Sequence, residues 1–356
     1  MKKDSSTVPA GFAAKQFIGN LKSLRSSSMA DHRKFFKDIN TATRFLDIEL
    51  SPIRSRFSRT IMNRNQFLKS LAFTPLAASM KFNELDKITS PLASTDKMPV
   101  LFLGHGSPMN AIEENEFVAG FRSVAKEIPR PNAILCVSAH WETKGTFVTA
   151  MEHPKTIHDF GGFPKALFDV QYPAPGSPEL AKETQGMVRT TEVGLDEKWG
   201  LDHGAWSVIR HLYPKADVPV IQLSLDYSQT PQHHYELAKE IASLRKKGVL
   251  IIGSGNMVHN LRMVAWDKIN AGDYGFDWAV TASDKMKRYI LNGDHKQLIN
   301  FRGQGKEFDL AIPTPEHYLP LLYALALKEE NETVSLFNDK AVGGSLTMTS
   351  LKIDKK

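Results

Sequence analysis

Three histidines in this chain follow apolar runs: His105 after VLFLG, His140 after ILCVSA and His259 after VLIIGSGNMV. Apolar runs of that length read as buried strands, and open parallel α/β sheets bind ligands just beyond the carboxyl ends of their strands. Three imidazoles delivered to one sheet edge could be drawn together by a single ion. Gly104, Gly106, Gly253, Ser254 and Gly255 beside them permit the sharp turns and close backbone approach that such strand ends need. Glu316 and His317, ahead of an apolar C-terminal stretch, and His203 in GLDHGAW are further candidates. The lone cysteine, Cys136, excludes a disulfide framework and any Cys-rich zinc or iron–sulfur site, so a metal here would be held by imidazole and carboxylate. Such donors suit Fe(II), Mn(II) and Zn(II) alike.

Each of these residues also has a plainer role open to it. A single strand-end histidine more often makes a structural hydrogen bond, and it is the presence of three on one edge that favours a metal. His203 could be a buried histidine bonded to Asp202 or to backbone. His153, His158, His211, His233, His234 and His295 read as loop or surface residues. His158 stands out among them because HDFGGFP is a Gly-rich aromatic loop of the kind that lines pockets.

The elements that must position these groups begin at Met98. MPVLFLGHGSP, NAILCVSAHWE, VPVIQLSLD and GVLIIGSGNMVHN are continuous rather than alternating apolar runs, as suits strands buried on both faces. Helical composition and spacing fall between them at 113–126, 178–189 and 232–246. The expected fold class is therefore α/β, a three-layer domain with a central mostly parallel sheet flanked by helices. TPEHYLPLLYALALKEEN reads as a helix with Thr314 as N-cap and Pro315 at its first position, and Pro320 should then leave a carbonyl near Glu316 unpaired. SLTMTSLKI reads as one last strand.

Residues 1–97 read as an N-terminal extension and 98–356 as the catalytic domain. The net charge of +6 is uneven, with 17 Lys and Arg against 8 Asp and Glu in residues 1–97, and 28 against 31 in the remainder. Basicity confined to the extension is poor support for a nucleic-acid partner, and no apolar run reaches the ~18 residues of a membrane span. From Met62, MNRNQFLKSLAFTPLAASM has the outline of an export signal, with Asn65 where a twin-arginine pattern needs its second arginine. A cytoplasmic location is expected, or export to the periplasm if translation starts at Met62. Oligomeric state is not legible.

The strings LFLGHGSPMN, SAHWE, TIHDFGGFP, YPAPGSPELA, LDHGAW, GSGNMVHNL and PTPEHYLPLLYALA, collinear over residues 98–353, resemble the class III extradiol ring-cleavage dioxygenases, in particular their 4,5-DOPA extradiol branch. The resemblance implies one α/β domain holding one divalent metal ion. Fe(II) is expected for activity and Zn(II) is possible as the bound ion. By motif it makes His105 and His140 ligands, with His259 and His317 also at metal-associated positions. A second assignment, open on the same string, makes Glu316 the third ligand and His259 the acid/base. The resemblance, under either assignment, places His203 beside a substrate oxygen. The implied partners are a catechol, DOPA-like, and O2, with both oxygen atoms inserted to give a ring-opened semialdehyde. Two competing readings are a zinc hydrolase on the same ligands and a non-catalytic binding protein like the Memo-like relatives.

Overall fold

The computed structural model describes residues 95–356. The signal-like segment from Met62 lies outside them. The first strand, β1 (Val100–Gly104), leads through a short 3-10 turn to helix α1 (Glu116–Glu127), then to β2 (Ala133–Thr143) and β3 (Thr146–Thr149). Next come α2 (Lys165–Phe168), α3 (Pro178–Met187), β4 (Val193–Asp196), α4 (His203–Leu212), β5 (Val220–Asp226), α5 (Pro231–Glu240) and β6 (Val249–Gly255). The C-terminal part holds α6 (Asp277–Asn292), α7 (His295–Ile299), α8 (Lys306–Ala311), α9 (Leu319–Ala326) and strands β7 (Glu332–Phe337), β8 (Ala341–Val342), β9 (Leu346–Thr347) and β10 (Ser350–Lys355).

Eight strands form one sheet in the order β4-β3-β5-β2-β6-β1-β10-β7. Its centre is parallel, with β5, β2, β6 and β1 side by side, and antiparallel pairing enters only toward the edges, where β3 meets β5 and β10 lies between β1 and β7. The continuous apolar runs have the expected cause. Val100 and Phe102 point into a core under α3, α5, α6 and α9, while Leu101 and Leu103 point into a second core under α1 and α4. With both faces covered, neither parity of the strand can be polar.

The expected helices are present with shifted ends. Asn115 caps α1 by accepting from the Val118 N–H, and the stretch 232–246 divides into α5 and a 3-10 turn over Ala242–Lys247. The C-terminal helix differs more. It begins at Leu319, with Pro320 in its first turn, where a proline's missing N–H has no helical partner to lose. Thr314 is therefore not its N-cap, Pro315 is not its first residue, and the segment Thr314–Tyr318 is a turn instead of a helix. SLTMTSLKI likewise divides into β9 and β10. Among the described residues no helix is long and apolar enough to cross a membrane.

Candidate active site

Strands β2, β6 and β1 are adjacent and parallel, so their carboxyl ends open onto one edge. His105 is the residue after β1 and is 2% exposed. His140 lies late in β2, where the pairing with β5 jumps from Val137 to Glu142, an irregularity that releases it from the ladder and turns its ring to the edge. His259 follows β6, and its backbone N–H donates to the Ala311 carbonyl. The three expected strand-end histidines thus reach one place. Two more segments converge on it: the N-terminus of α4 brings His203, and the turn before α9 brings Glu316 and His317.

Close approach of these segments depends on glycine at two points. A Cβ on Gly255 would sit 2.1 Å from the His317 carbonyl oxygen, the same oxygen that accepts the Asn256 N–H at 2.8 Å. A Cβ on Gly204 would meet Ser138 Oγ at 2.5 Å and His140 Cδ2 at 2.8 Å. Both glycines lie where a chain carrying one site histidine crosses a chain carrying another.

The rings are close. His105 Nε2 and His140 Nε2 are 3.3 Å apart, and His203, His140 and His105 each offer an atom within 4.8 Å of the others. His317 has ring-centroid distances of 5.3 Å to His105 and 5.0 Å to His140. His259 and His317 stack at 3.5 Å with planes 9° apart. Glu316 joins those two in a second group of potential ligands.

Proton positions follow from the neighbours. Ser254 donates its hydroxyl proton to the Gly204 carbonyl at 2.5 Å, so at the 3.0 Å contact with His105 Nδ1 it is the acceptor and Nδ1 carries hydrogen. The lone pair of His105 is then on Nε2. Glu316 Oε1 lies 3.0 Å from His317 Nδ1, which fixes the same tautomer there. Asp159 Oδ2 stands 3.0 Å from His203 Nδ1 and 3.6 Å from His140 Nδ1. The contact to His203 is an ion-pair contact, off the line of an N–H···O bond, and His203 Nδ1 has no other partner. Oxygen acceptors behind Nδ1 and free Nε2 atoms facing inward are the arrangement that supports imidazole ligands around a metal.

Burial also keeps the rings neutral. It lowers His140 to about 3 and His259 to about 4, and drives His105 and His317 well below the usual range, the neighbouring imidazoles adding to the effect in each. Burial pushes the Asp159 carboxyl up, but His203, with His140 behind it, outweighs that and holds it below its ordinary value. Neutral imidazoles with inward lone pairs fit a divalent ion. The Nε2 atoms of His105 and His140, 3.3 Å apart, are close enough that both could hold one ion.

Asp159 is the residue that sequence reasoning missed. In the loop HDFGGFP the sequence points to His158, yet His158 Nε2 contacts the Val170 carbonyl and its ring packs on Phe160, Phe168 and Trp206. Its neighbour Asp159 reaches the site instead. Asp202, the sequence-based partner for His203, caps α4 through the Ala205 N–H and accepts from Ser138 and Gln222. His211 and His234 are buried helix residues rather than surface ones, bonded to the Asn110 carbonyl and the Tyr323 hydroxyl. Two surface cavities, of about 820 and 760 Å³, are lined by none of the five clustered histidines, so chemistry and not volume locates the site.

Residues 99–342 match the family of the catalytic LigB subunit of aromatic ring-opening dioxygenase. The 4,5-DOPA dioxygenase extradiol of Escherichia coli K12 is 45% identical over 267 residues, covering 74% of this chain and 97% of that protein. The 4,5-DOPA dioxygenase extradiol of Beta vulgaris is 36% identical over 257 residues, covering 70% and 94%. A crystal structure of an E. coli K12 protein described as uncharacterized superposes with a TM-score of 0.63 at 40% identity, covering 72% of this chain and all of that one. The fold and the collinear motifs agree with these matches: the chain belongs to the LigB family and is a class III extradiol ring-cleavage dioxygenase.

Proposed function

We propose that the chain opens a DOPA-like catechol with one divalent ion, Fe(II), held by His105, His140 and His317. The observation that carries this reading is the common tautomer: His105 and His317 each have an oxygen at Nδ1 and a lone pair on Nε2, at 5.3 Å between ring centres, with His140 Nε2 3.3 Å from His105 Nε2. Metal ligation requires the lone pair to lie in the plane of the ring. The rings of His259 and His317 are parallel planes 3.5 Å apart, so their in-plane lone pairs would not converge on one point. Of the two, His317 is the one close to His105 and His140, and Glu316 backs it as a carboxylate behind a ligand histidine. His259 is left as a neutral base beside the ligand set.

When bound, a redox-active ion supplies the means for singlet catechol and triplet O2 to exchange electron density, which Zn(II) does not. The protein's own residues do the rest. A catechol must lose protons to chelate, and His259 and His203 are the imidazoles placed to accept them. His203, once protonated, can return its proton to the oxygen that departs when the O–O bond breaks. Phe160 stands edge-on to His203 at 5.5 Å and limits water on that side.

The test is anaerobic loading of metal-free protein with Fe(II), addition of L-DOPA and then air, with oxygen uptake and a yellow ring-fission product as readouts. Stoichiometric uptake of one O2 per catechol is expected. Turnover with Zn(II) equal to that with Fe(II), or no product from any catechol, would overturn the proposal.

A further inference from the structure

Asp159 meets His203 twice. Oδ1 accepts the His203 backbone N–H at 2.8 Å, at the first residue of α4, and Oδ2 lies 3.0 Å from the His203 ring nitrogen Nδ1. The side chain of Asp159 is 18% exposed and that of His203 is 7% exposed, so water competes little for either contact. No other polar atom among the described residues serves His203 Nδ1. Phe160 packs its edge against the same ring and restricts its rotation. We propose that Asp159 is the positioning residue that fixes His203 as its Nδ1–H tautomer and so keeps the lone pair of the ring on Nε2. This rests on the reading of His203 as a proton acceptor and donor for the catechol.

The reasoning is one of donors and acceptors. A carboxylate can only accept: Oδ1 takes the backbone N–H of His203, and the negative Oδ2 at 3.0 Å favours a hydrogen rather than a lone pair on Nδ1. The backbone N–H of His203 is a fixed donor. In Asp159→Asn the amide must therefore keep its oxygen on that N–H, which turns its NH2 toward Nδ1. Nδ1 then becomes the acceptor and the hydrogen moves to Nε2, so the atom meant to take a proton from the substrate already carries one. Asp159→Ala removes both partners and leaves the tautomer free.

A helix-capping or loop-anchoring role makes the opposite ranking. The asparagine variant keeps the bond to the helix backbone and the alanine variant loses it, so a purely structural aspartate would make alanine the worse change. Tautomer control makes asparagine the worse one. Expected values for Asp159→Asn are a kcat lower by about 100- to 10,000-fold with KM within about threefold, by analogy with wrong-tautomer variants of other histidine bases.

The experiment uses the full chain, zinc-loaded and labelled with 15N-histidine. Long-range 1H–15N spectra read the His203 tautomer without any turnover, with His203→Gln identifying the signal. Steady-state kinetics on the Fe(II) forms and metal content by mass spectrometry accompany them. The expected result is Nδ1–H in the parent, Nε2–H in Asp159→Asn, unchanged metal content, and lower kcat for asparagine than for alanine. The same tautomer in parent and Asp159→Asn overturns the proposal, as does an alanine variant slower than the asparagine one. Because the tautomer is read without substrate, failure of the catechol reading would leave this part standing.

Discussion

Acid should destabilise the metal-free protein at pH values that ordinary domains tolerate. His140 and His259 are held at about 3 and about 4 by burial in the folded state, whereas both titrate at about 6.5 in an unfolded chain. A group with a depressed folded value binds its proton first in the unfolded state. For a histidine that means full stability above about pH 6.5 and a loss that grows as pH falls toward the folded value. At pH 5, about 1.5 pH units below the unfolded value, each costs about 2 kcal/mol, and the pair costs about 4 kcal/mol out of the 5–15 kcal/mol typical of a domain. His105 and His317 shift the same way and steepen the decline. The assay is urea unfolding of metal-free protein from pH 8 to pH 5, followed by circular dichroism. The slope should exceed about 2 kcal/mol per pH unit between pH 6 and pH 5, and His259→Gln should reduce it by about 1 kcal/mol per pH unit. Saturating Zn(II) at a thousand times its Kd should add about 4 kcal/mol at pH 7. Equal stability of the metal-free protein at pH 7.5 and pH 5 would refute the idea that these imidazoles are buried and neutral.

Other outcomes follow from particular contacts. His105→Ala should lose metal and activity together, checked by metal content beside oxygen uptake, because it removes the Nε2 that faces His140. His203→Ala should keep its metal and turn over more slowly, and a variant without metal would contradict a proton-transfer role. Gly255→Ala forces a methyl against the His317 carbonyl, so it should cost about 1–3 kcal/mol in urea unfolding and weaken metal binding as the Glu316–His317 turn shifts.

Much of this is legible in the sequence. The apolar runs of β1, β2, β5 and β6 identify themselves because a parallel sheet covered on both faces needs them, and the histidines after three of those runs inherit their position from the strands. His203 and His317 were candidates by motif, but their neighbours were not legible. Asp159 sits in a loop, and nothing in HDFGGFP says which of two adjacent side chains turns inward; that choice is set by α4, whose first N–H the carboxylate meets. The start of α9 was misjudged because TPEHYLP carries two prolines, each able to open a helix, and only the backbone contacts of Gly255 and Asn256 with His317 decide that the segment before Leu319 stays a turn.

The last strand has a consequence for how the protein is made. Ser350–Lys355 lies beyond every residue of the site, yet its Leu351–Ile353 pair with Val100–Phe102, and Ser350 accepts the Gly104 N–H next to His105. The strand that carries His105 to the site therefore has an open flank until Ser350–Lys355 has been made and has paired, and a variant shortened before Ser350 should lose the support of His105 while keeping every clustered side chain.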